Sequence, residues 1–341
     1  MKRPGKILII GIVFFLLAAG SMFSDDIDFS SLQKSLGSFS EDMTRSLPFN
    51  STMGLNWSDA YIGQFLAFPP NFGIGLTFGF TNISIGPINE LINTFSDTPL
   101  PFDAFLPLPG YTLEGRIGGF VLPFDIGFKI GTLPDTIPLL EALTGAKLNY
   151  LLVGGDFRYA LVNKPIFKFS LGLGYNYLNG GISIPVGSNF GPLTTPNGYS
   201  ISMSKPEVGL LWDTHCLEFK AHASISTVVI TPYAGIGMNY SWTRAGYNIT
   251  SKLTMTDPDG QSVSSKEFLE ELKNSNIAGI EFSDKGIESI LRNSGFNIRA
   301  YGGFSLNMSV IRFDLTGMYD ILNENFGLTV GIRFQAKSIF N

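Results

Sequence analysis

The sequence predicts an all-β fold: a transmembrane antiparallel β-barrel of about 12 strands (10–14), with an N-terminal amphipathic helix and a helical outer loop. Three observations carry this. From Phe72 onward the chain alternates apolar and small or polar residues with period two. Only 15% of the 341 residues are charged, against about 25% in an average soluble domain, and the mean hydropathy is +0.21. Beyond residue 20 there is nonetheless no run of about 20 apolar residues such as a membrane helix needs. A chain this apolar without long apolar runs hides its hydrophobicity in alternation.

The first segment reads as a secretory signal spanning 1–24. Lys2, Arg3 and Lys6 make a positive start, Ile7 to Ala19 is apolar except for Gly11, and Ala18-Ala19-Gly20 supplies small residues for cleavage between Gly20 and Asp25. Residues 25–70 form a periplasmic helix or plug segment. Within it, Phe29, Leu32, Leu36, Phe39, Met43 and Leu47 recur at spacings of three and four, which predicts an amphipathic helix over 27–47. The chain runs directly from this helix through Trp57 and Tyr61 to the first strand, so it is read as a plug or lid of the barrel.

Residues 71–341 form the barrel. Phe72, Ile74, Leu76, Phe78 and Phe80 alternate with glycine and threonine, and Phe326, Leu328, Val330, Ile332 and Phe334 do the same near the end. Strands are predicted near 72–82, 111–121, 123–131, 148–162, 165–178, 181–187, 199–212, 215–227, 231–243, 296–308, 310–320 and 325–340. A soluble sandwich alternates too. The aromatic side chains near strand ends, the glycine-rich opposite face and the unequal connections favour a membrane barrel. With both ends periplasmic, the long connections 83–110, 132–147 and 244–295 fall on the outer side, and Leu122-Pro123 and Asn163-Lys164 become periplasmic turns. Segment 188–198 is then a lone long periplasmic connection. In the loop 244–295, Ser264 with Glu267 forms a capping box before one helix, and Ser283-Asp284 opens a second carrying Ile287, Ile290 and Leu291.

The charges inside strands share the non-aromatic face. Glu114/Arg116, Asp156/Arg158, Glu218/Lys220 and Arg312/Asp314 are opposite-sign pairs two residues apart, and Asp125, Lys129, Lys168, His222, Arg299 and Arg333 join them. A charge facing lipid at the midplane costs about 2–4 kcal/mol, so this face is expected to line the lumen. Two readings stand: a charge-lined passage, or a lumen filled by salt bridges. Twelve strands enclose more than side chains alone fill, which favours the passage. The connection 83–110 is apolar for an outer loop, with Ile88, Leu91, Ile92 and Phe95 followed by a run rich in proline. It is either a binding surface or a loop folded into the barrel mouth.

No enzyme, metal or cofactor is expected. His215 and His222 have opposite parity on one strand, no nucleophile elbow occurs, and the lone Cys216 supports neither a disulfide framework nor a cysteine zinc site. Asp257-Pro258-Asp259-Gly260 reads as a turn. A net charge of −5 without a basic run argues against nucleic acid.

The signal, the alternating strands from Phe72 to Phe340 and the aromatic last strand together resemble bacterial outer-membrane β-barrel proteins. Such proteins usually end in a strand with alternate aromatics and a terminal Phe, read by the barrel-assembly machinery; here Asn341 follows Phe340. The overall style resembles spirochaete-type barrels of unknown function, and the helix before the first strand with the apolar outer loop is similar in plan to the long-chain fatty-acid transporter family. The resemblance implies outer-membrane lipids and the assembly machinery as partners. The expected function is a channel or transporter passing or binding small solutes, hydrophobic ones among them. The alternative is a surface-exposed structural or adhesion barrel whose long loops bind partners.

Overall fold

The computed structural model describes residues 29–62, 71–84, 105–118, 122–133, 147–185, 190–194, 200–203, 207–250, 253–256, 260–261 and 287–336. The signal region, the apolar stretch 85–104, the first loop helix, the Asp257 turn and the last five residues lie outside the described residues.

Ten strands close an antiparallel barrel. In chain order they are β1 (Asn71–Ser84), β2 (Phe105–Gly118), β3 (Phe124–Leu133), β4 (Lys147–Asn163), β5 (Phe167–Pro185), β8 (Glu207–Ile225), β9 (Ile230–Thr250), β11 (Ile287–Met308), β12 (Ile311–Asp320) and β13 (Phe326–Ala336). Each pairs with its neighbour in sequence, and β1 pairs with β13 to close the ring, Phe72 opposite Ala336 and Thr81 opposite Gly327. Three short strands, β6 (Phe190–Thr194), β7 (Ser200–Met203) and β10 (Leu253–Thr256), form a separate sheet. One helix, α1 (Phe29–Ser51), precedes the barrel.

Ten strands rather than twelve is a correction with a clear origin. The predicted strands 165–178 and 181–187 are one strand, β5; the predicted strand 199–212 contributes Ser200–Met203 to the separate sheet as β7, and its remainder from Glu207 joins 215–227 in one strand, β8. Asn179-Gly180, which separates the two predicted strands, is itself paired strand. Its glycine makes room: a Cβ on Gly180 would stand 2.7 Å from the Trp212 ring of the paired strand. With these merged, the anomalous periplasmic connection disappears. Segment 186–206 now joins the long connections 85–104, 134–146 and 251–286 on one rim, while the other rim has only short turns. Long connections are outer and short turns periplasmic in such barrels, which orients the molecule.

Two further expectations change. β2 begins at Phe105 rather than near 111. Pro107 and Pro109 are tolerated because, among the described residues, this end of β2 pairs only with β1; its ladder with β3 starts at Leu113, so the missing N–H donors are not needed there. Ile287, Ile290 and Leu291 belong to β11, not to a helix, and β9 runs on to Thr250. Their spacing fits a helix face, but the ladder with β9, Ile287 opposite Ile249 and Leu291 opposite Ala245, holds the stretch as a strand.

The predicted apolar faces point outward. Phe128, Leu173 and Phe296 are 65%, 63% and 70% exposed, which a soluble sandwich would not tolerate. On β5 the outward apolar positions run from Phe167 to Tyr177, ten steps of about 3.3 Å. At a strand tilt of about 40° that is a band roughly 25 Å tall, the height of a barrel's lipid-facing belt.

Candidate functional site: the filled lumen

The inward-facing residues enclose the chain's own N-terminal segment. Ten strands make a bore wider than about eight strands' side chains can fill, and residues 39–62 take up that space, almost all of them buried. The orientation follows from the contacts. Ser46 and Asn325 exchange side-chain hydrogen bonds at the β12–β13 turn on the outer rim, Asn50 donates to Thr81 Oγ1 (2.8 Å), and Ile62 N donates to Asp125 Oδ2 (3.0 Å) near the periplasmic end of β3. The segment therefore descends through the barrel. α1 stands in the outer half with its N-terminal end toward the long connections, not in the periplasm as its place before β1 had suggested.

The outer half of the lumen is apolar. Phe39, Met43, Leu47 and Met53 of the segment pack with Ile83, Leu108, Tyr150, Leu152, Leu178, Trp212 and Ala245 of the wall. These fulfil the helical spacing read from the sequence for Phe39 and Met43; the side chains of Phe29, Leu32 and Leu36 lie outside the described residues. A lower cluster joins Phe49 to Tyr233, Tyr301 and Met318.

The periplasmic half is polar. α1 ends at a sharp bend where Gly54 and Leu55 both adopt left-handed backbone (φ 83° and 58°). The bend is held by the wall: Lys129 Nζ donates to the carbonyls of Ser51 (2.8 Å) and Met53 (2.5 Å), and Glu114 accepts from Leu55 N (2.9 Å) and Trp57 Nε1 (2.5 Å). The Trp57 ring lies between the guanidiniums of Arg116 (5.6 Å) and Arg333 (4.9 Å) and over Gly73, whose Cβ would stand 2.8 Å from it. Arg299 donates to Asn56, Arg158 to the Asp59 carbonyl, and Lys168 to the Tyr61 carbonyl. Ser224 accepts from Ala60 N (3.0 Å).

Ion pairs knit the wall to itself and to the segment. Asp125 bridges Arg116 (2.6 Å) and Arg158 (2.8 Å); Asp156 bridges Arg116 (2.6 Å) and Lys220 (2.5 Å); Glu218 takes Arg299 (2.6 Å). Asp59, on the plug, bridges Arg312 (2.7 Å) and Arg333 (3.0 Å), and Arg333 also holds Asp314 (2.8 Å). Every one of the fourteen charged or titratable positions singled out in the sequence faces inward. Twelve are buried; Lys168 and Asp314 are half-buried. They pair between strands rather than two apart along one strand, and the described ones touch each other or the plug instead of an open bore. His222 faces inward to Tyr301 (3.2 Å), while His215 faces outward to Tyr175 (2.6 Å), as their parity requires.

Sequence reading missed Asp59, Asn56 and Ser58, which supply the plug's own polar contacts. They sit in a stretch with no periodicity, and only the neighbouring Trp57 and Tyr61 marked it as structured.

A closed antiparallel barrel with an apolar outer belt, short turns on one rim and long connections on the other is the architecture of bacterial outer-membrane barrels, and this chain is such a barrel. No protein-family model matches it, and no curated protein does. Among solved structures it is similar to the outer membrane protease OmpT from Escherichia coli (10% identity, 79% of this chain and 98% of that one, TM-score 0.41). It is also similar to the translocator domain of the autotransporter NalP from Neisseria meningitidis (8%, 91% and 99%, TM-score 0.35) and to the toluene transporter TbuX from Ralstonia pickettii (11%, 79% and 89%, TM-score 0.27). At these identities and scores the likenesses assign no function.

Proposed function

We propose that the protein is an outer-membrane transport barrel, closed at rest by residues 39–62, that binds or passes small hydrophobic solutes when α1 moves out of the outer half of the lumen. One observation carries this reading. The wall's larger group of inward apolar side chains, Leu152, Leu178, Tyr150 and Trp212 among them, surrounds α1 in the outer half. The same strands lower down turn in Arg158, Asp156, Glu218 and Lys220. Displacing α1 leaves an apolar chamber above a floor of groups that water can solvate. Such a chamber suits an apolar solute better than an ion.

A disulfide tests this. Ser46→Cys with Asn325→Cys replaces a pair already in contact and ties α1 to the rim. Uptake of a monoaromatic or fatty-acid probe into proteoliposomes should stop on oxidation and return on reduction. Uptake indifferent to the lock overturns the gating. Absence of any uptake in the reduced, wild-type and Phe39→Ala proteins overturns transport.

A second reading is a closed surface scaffold whose outer loops bind partners. It is favoured by β8, β9 and β11, which continue beyond the aromatic belt, and by the β6–β7–β10 sheet built from two outer connections. Loss of partner binding without change in uptake after altering that sheet distinguishes it.

A further inference from the structure

The upper edge of the lipid-facing belt is drawn by three cross-strand rows on β5, β8, β9 and β11. The first is Tyr175, Leu217, Tyr240 and Phe296; the second Tyr177, His215, Trp242 and Ser294; the third Asn179, Asp213, Arg244 and Arg292. Successive rows are two residues apart, about 6.6 Å along the strands. The lowest is aromatic, and Tyr240 packs edge-on against Phe296 (4.8 Å) and Trp242 (4.9 Å). The highest is charged. It thus lies where the hydrocarbon belt gives way to the headgroup layer.

In that charged row Arg244 and Arg292 stand directly opposite each other on paired strands, an arrangement that is unfavourable for like charges. Asp213 reaches Arg244 at 3.3 Å, and its other oxygen accepts from Tyr177 (2.9 Å). Among the described residues no acidic group forms an ion pair with Arg292. The lumen holds the same arrangement in completed form: Arg312 and Arg333, also directly opposite, share the carboxylate of Asp59. Among the described residues the outer pair has the cations without the shared anion.

We propose that Arg244 and Arg292 bind the phosphate of a membrane-lipid headgroup, with the lipid's acyl chain lying on Trp242, Tyr240 and Phe296. Two guanidinium forks on directly opposite positions of paired strands suit the oxygens of one phosphate. The aromatic surface immediately below them faces hydrocarbon, so a ligand carrying phosphate and chain together uses both parts, whereas a free anion uses only the arginines. Asp213 competes with that phosphate for Arg244. This inference rests on the barrel's orientation in the membrane and is independent of the gating reading.

Purified full-length protein in neutral detergent is titrated by native mass spectrometry with short-chain phosphatidylglycerol, with diacylglycerol of the same chains, and with inorganic phosphate. The wild type should retain phosphatidylglycerol at least 10-fold more tightly than either control. Arg292→Gln and Arg244→Gln should each lose most of that preference. Asp213→Asn should strengthen binding, and Lys147→Gln, an outward cation elsewhere on the rim, should leave it unchanged. Equal retention by the wild type and both arginine variants overturns the site. Inorganic phosphate binding as tightly as the lipid overturns the lipid as its occupant.

Discussion

The carboxylate of Asp59, ahead of the first strand, meets the guanidinium of Arg333, on the last strand, at 3.0 Å inside the barrel. It also takes Arg312, which lies directly opposite Arg333. One acid from the plug thus separates two buried cations of the wall. Asp59→Ala removes it and leaves Asp314 as the only acid paired with Arg333 among the described residues. Breaking a buried pair from one side costs about 3–5 kcal/mol. The unfolding midpoint in urea, with the protein in lipid vesicles, should fall accordingly, and uptake should rise as the segment loosens. An unchanged midpoint contradicts the role given to Asp59.

The bend below α1 admits no side chain. A Cβ at Gly54 would lie 2.5 Å from Thr112 Oγ1 and 2.8 Å from Glu114 Oε1, on backbone at φ 83°. Gly54→Ala therefore meets both steric conflict and left-handed strain, the latter alone about 1–3 kcal/mol. Thermal unfolding should drop clearly, whereas Gly115→Ala, with open space at its Cβ, should behave as wild type. Equal effects would mean that the bend is not seated as described.

The lipid-facing belt gives a depth-dependent expectation. Phe128→Arg, in the middle of the outward belt, should cost about 2–4 kcal/mol of folding into vesicles, and Asn149→Arg, beyond it, about 0–1 kcal/mol. Equal costs would place lipid elsewhere.

Topology can be read on intact cells. Glu41 lies midway along α1, above Ser46 at the outer rim, with its side chain 56% exposed, and Lys164 lies on a periplasmic turn. A membrane-impermeant maleimide should label Glu41→Cys from outside and should reach Lys164→Cys only after the outer membrane is opened. The native Cys216 is buried and adds no background. Labelling of Lys164→Cys alone on intact cells would invert the barrel.

Strand parity was legible because one register puts Phe72, Ile74 and Leu76 in lipid and their neighbours inside; a one-residue slip would reverse every side chain. For the same reason Arg158 and Glu218 could be assigned to the inner face without coordinates. Strand number was not legible. Gly180 and Asp213 look like turn residues, and only their partners reveal that one makes room for Trp212 and the other receives Tyr177 and Arg244. The helical spacing of Ile287 to Leu291 was equally ambiguous, since long-range pairing decides such short runs. The content of the lumen was half legible: the helix face of Phe39 and Met43 showed, but Asn56, Ser58 and Asp59 act through contacts with strands more than 200 residues away, among them Arg299 and Arg333. No local pattern encodes such contacts.

Backbone amide exchange in the bilayer-embedded protein tests the filled lumen most directly. Leu55, Ala60 and Ile62 donate their amides to Glu114, Ser224 and Asp125 of the wall. They should exchange as slowly as the amides of β8 and β9. Exchange at the rate of the exposed turn at Thr227 would show a water-filled bore and contradict the account.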